Sequence, residues 1–90
     1  MATAKPAFEI LITPPARRDL KRIDRQYLPQ IDRALLALSA DARPFNSEAL
    51  GGDYFRLPSG EYRIVYTINY PKKLVYVTRV RHRGEVYRNR

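Results

Sequence analysis

Residues 62–70, YRIVYTINY, alternate with a period of two. Tyr62, Ile64, Tyr66, Ile68 and Tyr70 fall on one side, and Arg63, Val65, Thr67 and Asn69 on the other. An extended strand has that period, because successive side chains leave a pleated backbone on opposite faces. Pro71, Lys72 and Lys73 then make a turn, and residues 74–80, LVYVTRV, form a second β-branched, apolar run. Two such runs around a short turn predict a hairpin. Ser59 and Gly60 offer another turn ahead of it, so residues 54–57 are expected to pair as a further strand.

The first half of the chain has a different rhythm. Residues 7–13, AFEILIT, read as a first strand ended by prolines. Thr13 stands ahead of Pro14 and Pro15. Threonine is a good N-cap, and proline is tolerated in a first helical turn, where the N–H has no partner anyway. A helix is predicted from there to about Gln26, with Ala16, Leu20, Ile23 and Tyr27 on its buried face. Pro29 opens a second helix, whose core stripe is Ile31, Leu35 and Leu38 with Ala34 beside it. Residues 39–46 form a connection. The order β-α-α-β-β-β predicts an α+β fold with two layers, a helical hairpin packed on a mainly antiparallel four-stranded sheet. Residues 1–90 are expected to form a single domain.

Composition narrows the chemistry. The chain has no cysteine and one histidine, His82. That excludes a disulfide framework, a thiolate metal site and a cysteine nucleophile, and no metal or other cofactor is expected. No apolar run is long enough to span a membrane. The first residues lack the apolar segment of a signal peptide, and a cytoplasmic location is expected. The strongest signal is charge, with 17 basic against 9 acidic residues, net +8. Residues 1–52 carry eight basic and six acidic side chains, net +2, whereas residues 53–90 carry nine and three, net +6. A surplus concentrated in one segment points to a polyanionic partner.

Two groups of residues are placed to meet it. On the first helix Arg17, Arg18, Lys21, Arg22 and Arg25 form a basic face, which is either a solvated surface or a dock for RNA phosphates. In the strands, Arg56, Arg63, Arg79, Arg81 and Arg83 lie among apolar residues, and the last three share a side if the strand continues that far. Only Asp53, Glu61 and Glu85 are acidic after residue 52. Crowded guanidinium groups repel one another unless an anion joins them, and their fork matches phosphate oxygens. Tyr54 and its neighbouring tyrosines offer flat surfaces on which bases stack.

The runs GEYRIVYTI and KKLVYVTRVRHRGEVYR resemble the C-terminal half of toxins of the RelE/ParE superfamily, most closely its RelE-like members. The preceding strand–helix–helix order fits as well, so the resemblance covers nearly the whole chain, with specific motifs over residues 60–88. It implies a toxin neutralised by a cognate antitoxin protein. It also implies a ribosome-dependent endoribonuclease that enters the 30S A site and cuts mRNA without a metal: the 2′-hydroxyl of one nucleotide attacks the adjacent phosphate and the 5′-oxygen leaves. That reaction needs a base at the hydroxyl, cations around the phosphorane and an acid at the leaving oxygen. By the resemblance, Arg63 stabilises the phosphate. Tyr87 orients or activates the hydroxyl and stacks on the base. The arginine serving the leaving group is Arg83, or Arg81 if the alignment moves by two.

Arg56 occupies a position where relatives typically carry lysine, with Tyr54 at another. Arginine holds charge but is a poor base. A tyrosine ionises near pH 10, so Tyr87 would need the surrounding arginines to act as one. His82 is of the right type for proton transfer, yet its parity differs from that of Arg81 and Arg83, and it should point the other way. Arg79, Lys72, Lys73, Arg18, Lys21, Arg22 and Arg25 are expected to contact RNA or the ribosome. A ParE-like gyrase inhibitor without catalysis, and a catalytically weak RNA-binding homologue, remain as alternatives.

Overall fold

The computed structural model of the chain describes residues 7–84. Five strands form one sheet: β1 (Glu9–Ile12), β2 (Glu48–Gly51), β3 (Tyr54–Ser59), β4 (Tyr62–Asn69) and β5 (Leu74–His82), in the order β1-β5-β4-β3-β2. All neighbours are antiparallel except β1, which runs parallel to β5. The expected α+β two-layer architecture is present, with five strands rather than four. The additional strand, β2, is exposed at all four positions and has no alternating pattern to betray it.

Thr13 caps α1 (Pro14–Arg22), with Pro14 and Pro15 in its first turn. The helix stops four residues short of the expected end. Ile23 turns to an extended conformation and is 9% exposed, and Asp24 accepts the Gln26 N–H at 3.1 Å to start a separate 3₁₀ turn, Arg25–Tyr27. A local side-chain cap offers the backbone an alternative to continuing the helix, and here it prevails. Pro29 lies in the first turn of α2 (Leu28–Ala40), whose Ile31 and Leu38 are fully buried.

Both helices cover one face of the sheet. Their apolar side chains pack with Phe55, Leu57, Ile64, Tyr66, Ile68, Val75, Val77 and Val80. Tyr66 is fully buried, donates its hydroxyl to the Ala42 carbonyl at 2.8 Å and stacks on Phe55 at 5.7 Å between ring centroids. Tyr70, expected on this face, lies past the end of β4 and is 53% exposed.

The register of β4 and β5 shifts between Val65 and Tyr66: Tyr66 faces Val77, whereas Val65 faces Arg79. Thr78 is therefore the extra residue of a β-bulge. Its hydroxyl donates to the Val65 carbonyl at 3.1 Å. Before the bulge Val75 and Val77 point into the core. After it Val80 does, and Arg79 and Arg81 do not. A strict period of two would have carried both arginines to the helix side with Val75 and Val77.

Candidate nucleic-acid interface on the open face of the sheet

The face away from the helices is laid out in rows by strand pairing. One row runs Glu48, Arg56, Val65 and Arg79; the next Pro58, Arg63 and Arg81; a third, on the other side of the first, Tyr54, Thr67 and Tyr76. Pro58 is tolerated here because β2 pairs with β3 only as far as Arg56, so no ladder N–H is missed. Arg56, Arg63 and Arg81 thus start from one face on three adjacent strands.

Each arginine is held differently. Arg56 donates Nε to Glu48 Oε1 at 2.8 Å. Arg63 folds back and donates Nη1 to the carbonyls of Gly60 and Tyr62, both at 2.9 Å. Arg79 turns past the edge of β5, where Nε and Nη2 donate to the two oxygens of Asp19 at 2.7 and 3.0 Å. Arg83 extends the pairing of β5, its N–H donating to the Glu61 carbonyl at 2.7 Å, while its guanidinium stands 3.6 Å from the Glu61 carboxylate. That ion pair is solvent-exposed and contributes little.

Asp19 is buried and accepts the Val80 N–H at 2.9 Å as well. Burial pushes its carboxyl up, but the hydrogen bonds from Arg79 and Val80 and the charges of Arg79 and Arg81 outweigh burial and hold it below the usual aspartate value.

His82 lies on the helix side, opposite Tyr62 across the β4–β5 pair, with ring centroids 5.5 Å apart, and its Nδ1 accepts the Gly84 N–H at 3.1 Å. It is separated from Arg81 and Arg83 by strand parity, as the alternation predicts. Arg22, Arg79, Arg81 and His82 also line a cleft of about 290 Å³ at the free end of β5, with Asp19 and Tyr62. A second hollow, about 570 Å³, opens where Tyr54, Thr67, Asn69, Tyr70 and Tyr76 converge. Lys72 and Lys73 sit at the β4–β5 turn beside it, with Lys73 at φ 56° and its ammonium 6.0 Å from the Phe8 ring centre. Arg18, Lys21, Arg22 and Arg25 are exposed on α1 and the 3₁₀ turn, and Arg22 reaches the cleft it shares with Arg79 and Arg81.

Strand pairing therefore places Arg56, Arg63 and Arg81 on one face, with Tyr54 two residues from Arg56, while Arg22 and His82 meet Arg81 only at the cleft by the free end of β5. Tyr87 lies outside the described residues. Two acids went unremarked in the sequence. Asp19 had a signal, since it falls on the same helical stripe as Ala16 and Ile23. Glu48 had none, because only the pairing of β2 brings it to Arg56. Among the described residues no cluster of His, Asp and Glu is placed to hold a metal, and no helix is long and apolar enough to cross a membrane.

Two helices on one face of a mixed sheet and arginine rows on the other define a small basic α+β protein suited to meeting a polyanion. The family model for the ParE toxin of type II toxin–antitoxin systems (parDE) matches residues 10–87, and the chain belongs to that family, within the RelE/ParE superfamily of toxins. Similar solved structures include the isolated RelE toxin of E. coli (23% identity, TM-score 0.75, covering 91% of this chain and 93% of that one). The archaeal RelE–RelB complex of Pyrococcus horikoshii matches at 18% identity and TM-score 0.74, over 87% of this chain and 97% of its counterpart. The RelBE2 toxin–antitoxin complex of Mycobacterium tuberculosis matches at 25% identity and TM-score 0.62, over 86% and 98%. No curated protein matches at the level of sequence.

Proposed function

We propose that this toxin is a ribosome-dependent endoribonuclease whose open sheet face cleaves mRNA in the A site and is neutralised by a cognate antitoxin. The observation that carries the reading is the convergence of Arg56, Arg63 and Arg81 from three adjacent strands onto one face. Three guanidinium groups on one face are suited to a phosphorane gaining negative charge. Tyr54 and Tyr76, beside the hollow at the other end of the face, offer planes for the flanking bases.

The attack needs a proton acceptor, and arginine cannot be one. Glu48 is a carboxylate on the arginine face, half exposed and in contact with Arg56. It takes the proton of the 2′-hydroxyl as the O–P bond forms. Arg56, Arg63 and Arg81 balance the charge on the phosphorane, and Tyr87 orients the nucleotide. The 5′-oxygen leaves with a proton supplied by Tyr87 or water, giving a 2′,3′-cyclic phosphate and a 5′-hydroxyl end. The exposed cations Arg18, Lys21, Arg22 and Arg25, with Lys72 and Lys73, hold the surrounding ribosomal RNA through its phosphates. The antitoxin is expected to be acidic and to cover the arginine face, so that antitoxin and ribosome exclude each other.

End-mapping of a defined mRNA on programmed ribosomes tests this. Cuts within the A-site codon that disappear in Arg63→Ala and Tyr87→Phe support the reading, and intact mRNA with the unaltered protein overturns it. The family match to ParE toxins favours a second reading, a non-enzymatic poison of DNA gyrase. Under that reading both variants remain toxic to cells and the mRNA stays whole.

A further inference from the structure

β5 loses its outer neighbour partway along its length. β1 pairs with it from Leu74 to Val77, and Thr13 closes that ladder, its N–H donating to the Val77 carbonyl at 3.1 Å. The Thr13 hydroxyl also lies 2.8 Å from the Val77 carbonyl and 3.3 Å from that of Thr78. The chain then enters α1, and the stretch of β5 that carries Arg79 and Arg81, still paired with β4, has among the described residues no strand on its outer edge. Asp19 takes the place of one. A single carboxylate accepts the Val80 N–H and both arms of the Arg79 fork. Thr13 and Asp19, six positions apart on one short segment, therefore grip β5 on either side of the bulge at Thr78.

A bulge is a frame decision. With one extra residue at position 78, Val80 packs inward and Arg81 stands opposite Arg63. Shifted by one, the same segment would turn Val80 outward and Arg81 toward Tyr62. The sheet itself offers two frames, and the contacts at Val80 and Arg79 exist in only one of them.

We infer that Asp19 is a positioning residue: by clamping Val80 and Arg79 immediately after the bulge, it fixes the frame of β5 that delivers Arg81 to the face of Arg63. The consequence for catalysis rests on the reading of that face as RNA-cleaving. Asp19 lies on the helix side, touches no substrate, and acts only through β5. Charge alone does not account for its place, because a surface ion pair with Arg79 would not need the Val80 amide, and the 8% exposure of Asp19 would be a poor choice for solubility.

The test compares Asp19→Ala with Asp19→Asn, which keeps an oxygen for the Val80 amide while removing the charge that faces Arg79. Two measurements read the frame directly: hydrogen exchange of the Val80 amide, and the nuclear Overhauser contact between the Tyr62 and His82 rings. In Asp19→Ala, Val80 exchange should rise by about tenfold or more as the segment opens locally, and the ring contact should weaken. The single-turnover cleavage rate on programmed ribosomes, per folded molecule, should fall roughly 10- to 100-fold, as misplacement of a charge-stabilising group predicts. Ribosome affinity should stay within about threefold, since the phosphate-holding cations are untouched. Asp19→Asn should fall between the two proteins in exchange and in rate. A residue that merely stabilised the fold would lower the melting temperature and leave the rate per folded molecule unchanged, which overturns the inference. So does an Asp19→Ala protein with Val80 protection and ring contact intact. If Asp19→Ala does not fold, the same readouts in Asp19→Asn decide, with unchanged values overturning the proposal. Uncut mRNA with the unaltered protein overturns the nuclease reading and the catalytic consequence together, while exchange and ring contact still decide the frame.

Discussion

Arg63 and Arg81 stand directly opposite each other on β4 and β5, two like charges paired across one face of the sheet. Such pairs destabilise an antiparallel ladder by a few tenths of a kcal/mol or more. Removing one of them should therefore not harm the fold. Arg63→Gln is expected to keep or slightly raise the melting temperature, within about 0.5 kcal/mol, and to abolish cleavage on programmed ribosomes. A large loss of stability would show that the Arg63 contacts to Gly60 and Tyr62 outweigh the repulsion.

Glu48 and Arg56 make a different prediction from the same face. If Glu48 accepts the proton of the attacking hydroxyl, Glu48→Gln should lower the cleavage rate by roughly 10²–10⁴-fold. Binding of RNA should hold or tighten, because Arg56 loses its carboxylate. Rate and affinity moving in opposite directions would separate a base from a mere partner of Arg56. Equal loss of both would assign Glu48 to scaffolding.

The acid limb of stability should report Asp19. An aspartate in the unfolded chain titrates near pH 3.9, and the folded carboxyl lies below its usual value. Its contribution is then complete above the unfolded value. As pH falls, the unfolded state takes up the proton first, and stability declines until the folded carboxyl is protonated too. Melting temperatures measured from about pH 6 to pH 2.5 should fall less steeply below about pH 5 in Asp19→Asn than in the unaltered protein. Parallel curves would mean that the clamp adds nothing to stability.

Tyr66 offers a test of the core alone. Phenylalanine keeps the ring and its stacking on Phe55 but leaves the Ala42 carbonyl, in a residue 2% exposed, without its donor. Tyr66→Phe should cost about 1–2 kcal/mol, lowering the melting temperature by roughly 5–10 °C. Activity measured below that transition should not change.

Much of this architecture was legible from spacing. The alternation of Tyr62, Ile64, Tyr66 and Ile68 gave β4 its core face, and Thr13 with its two prolines marked the start of α1. Where reading failed, the determinant was not local. β2 is four exposed residues whose strand character comes only from pairing with β3, and α1 ends early because burial of Ile23 and the Asp24 cap compete with helix propensity. The site was half legible. Parity alone groups Arg79, Arg81 and Arg83, but which side they take depends on a bulge that nothing in VYVTRV announces. Glu48 became visible beside Arg56 only through the fifth strand.

Thr78 has a bearing on how relatives of this chain should be compared. Delete that single residue and the strand alternates without a bulge, leaving Arg79 opposite Val65 and Arg81 opposite Arg63 on the open face; keep it but pair it into the ladder, and both arginines cross to the helix side. A relative one residue shorter at this point can thus present the same arginine face, and one of equal length can lose it, while every arginine is kept. Neither identity nor a count of residues between the Tyr-Arg pair and the final arginines would tell these cases apart; which residue is left out of the ladder would.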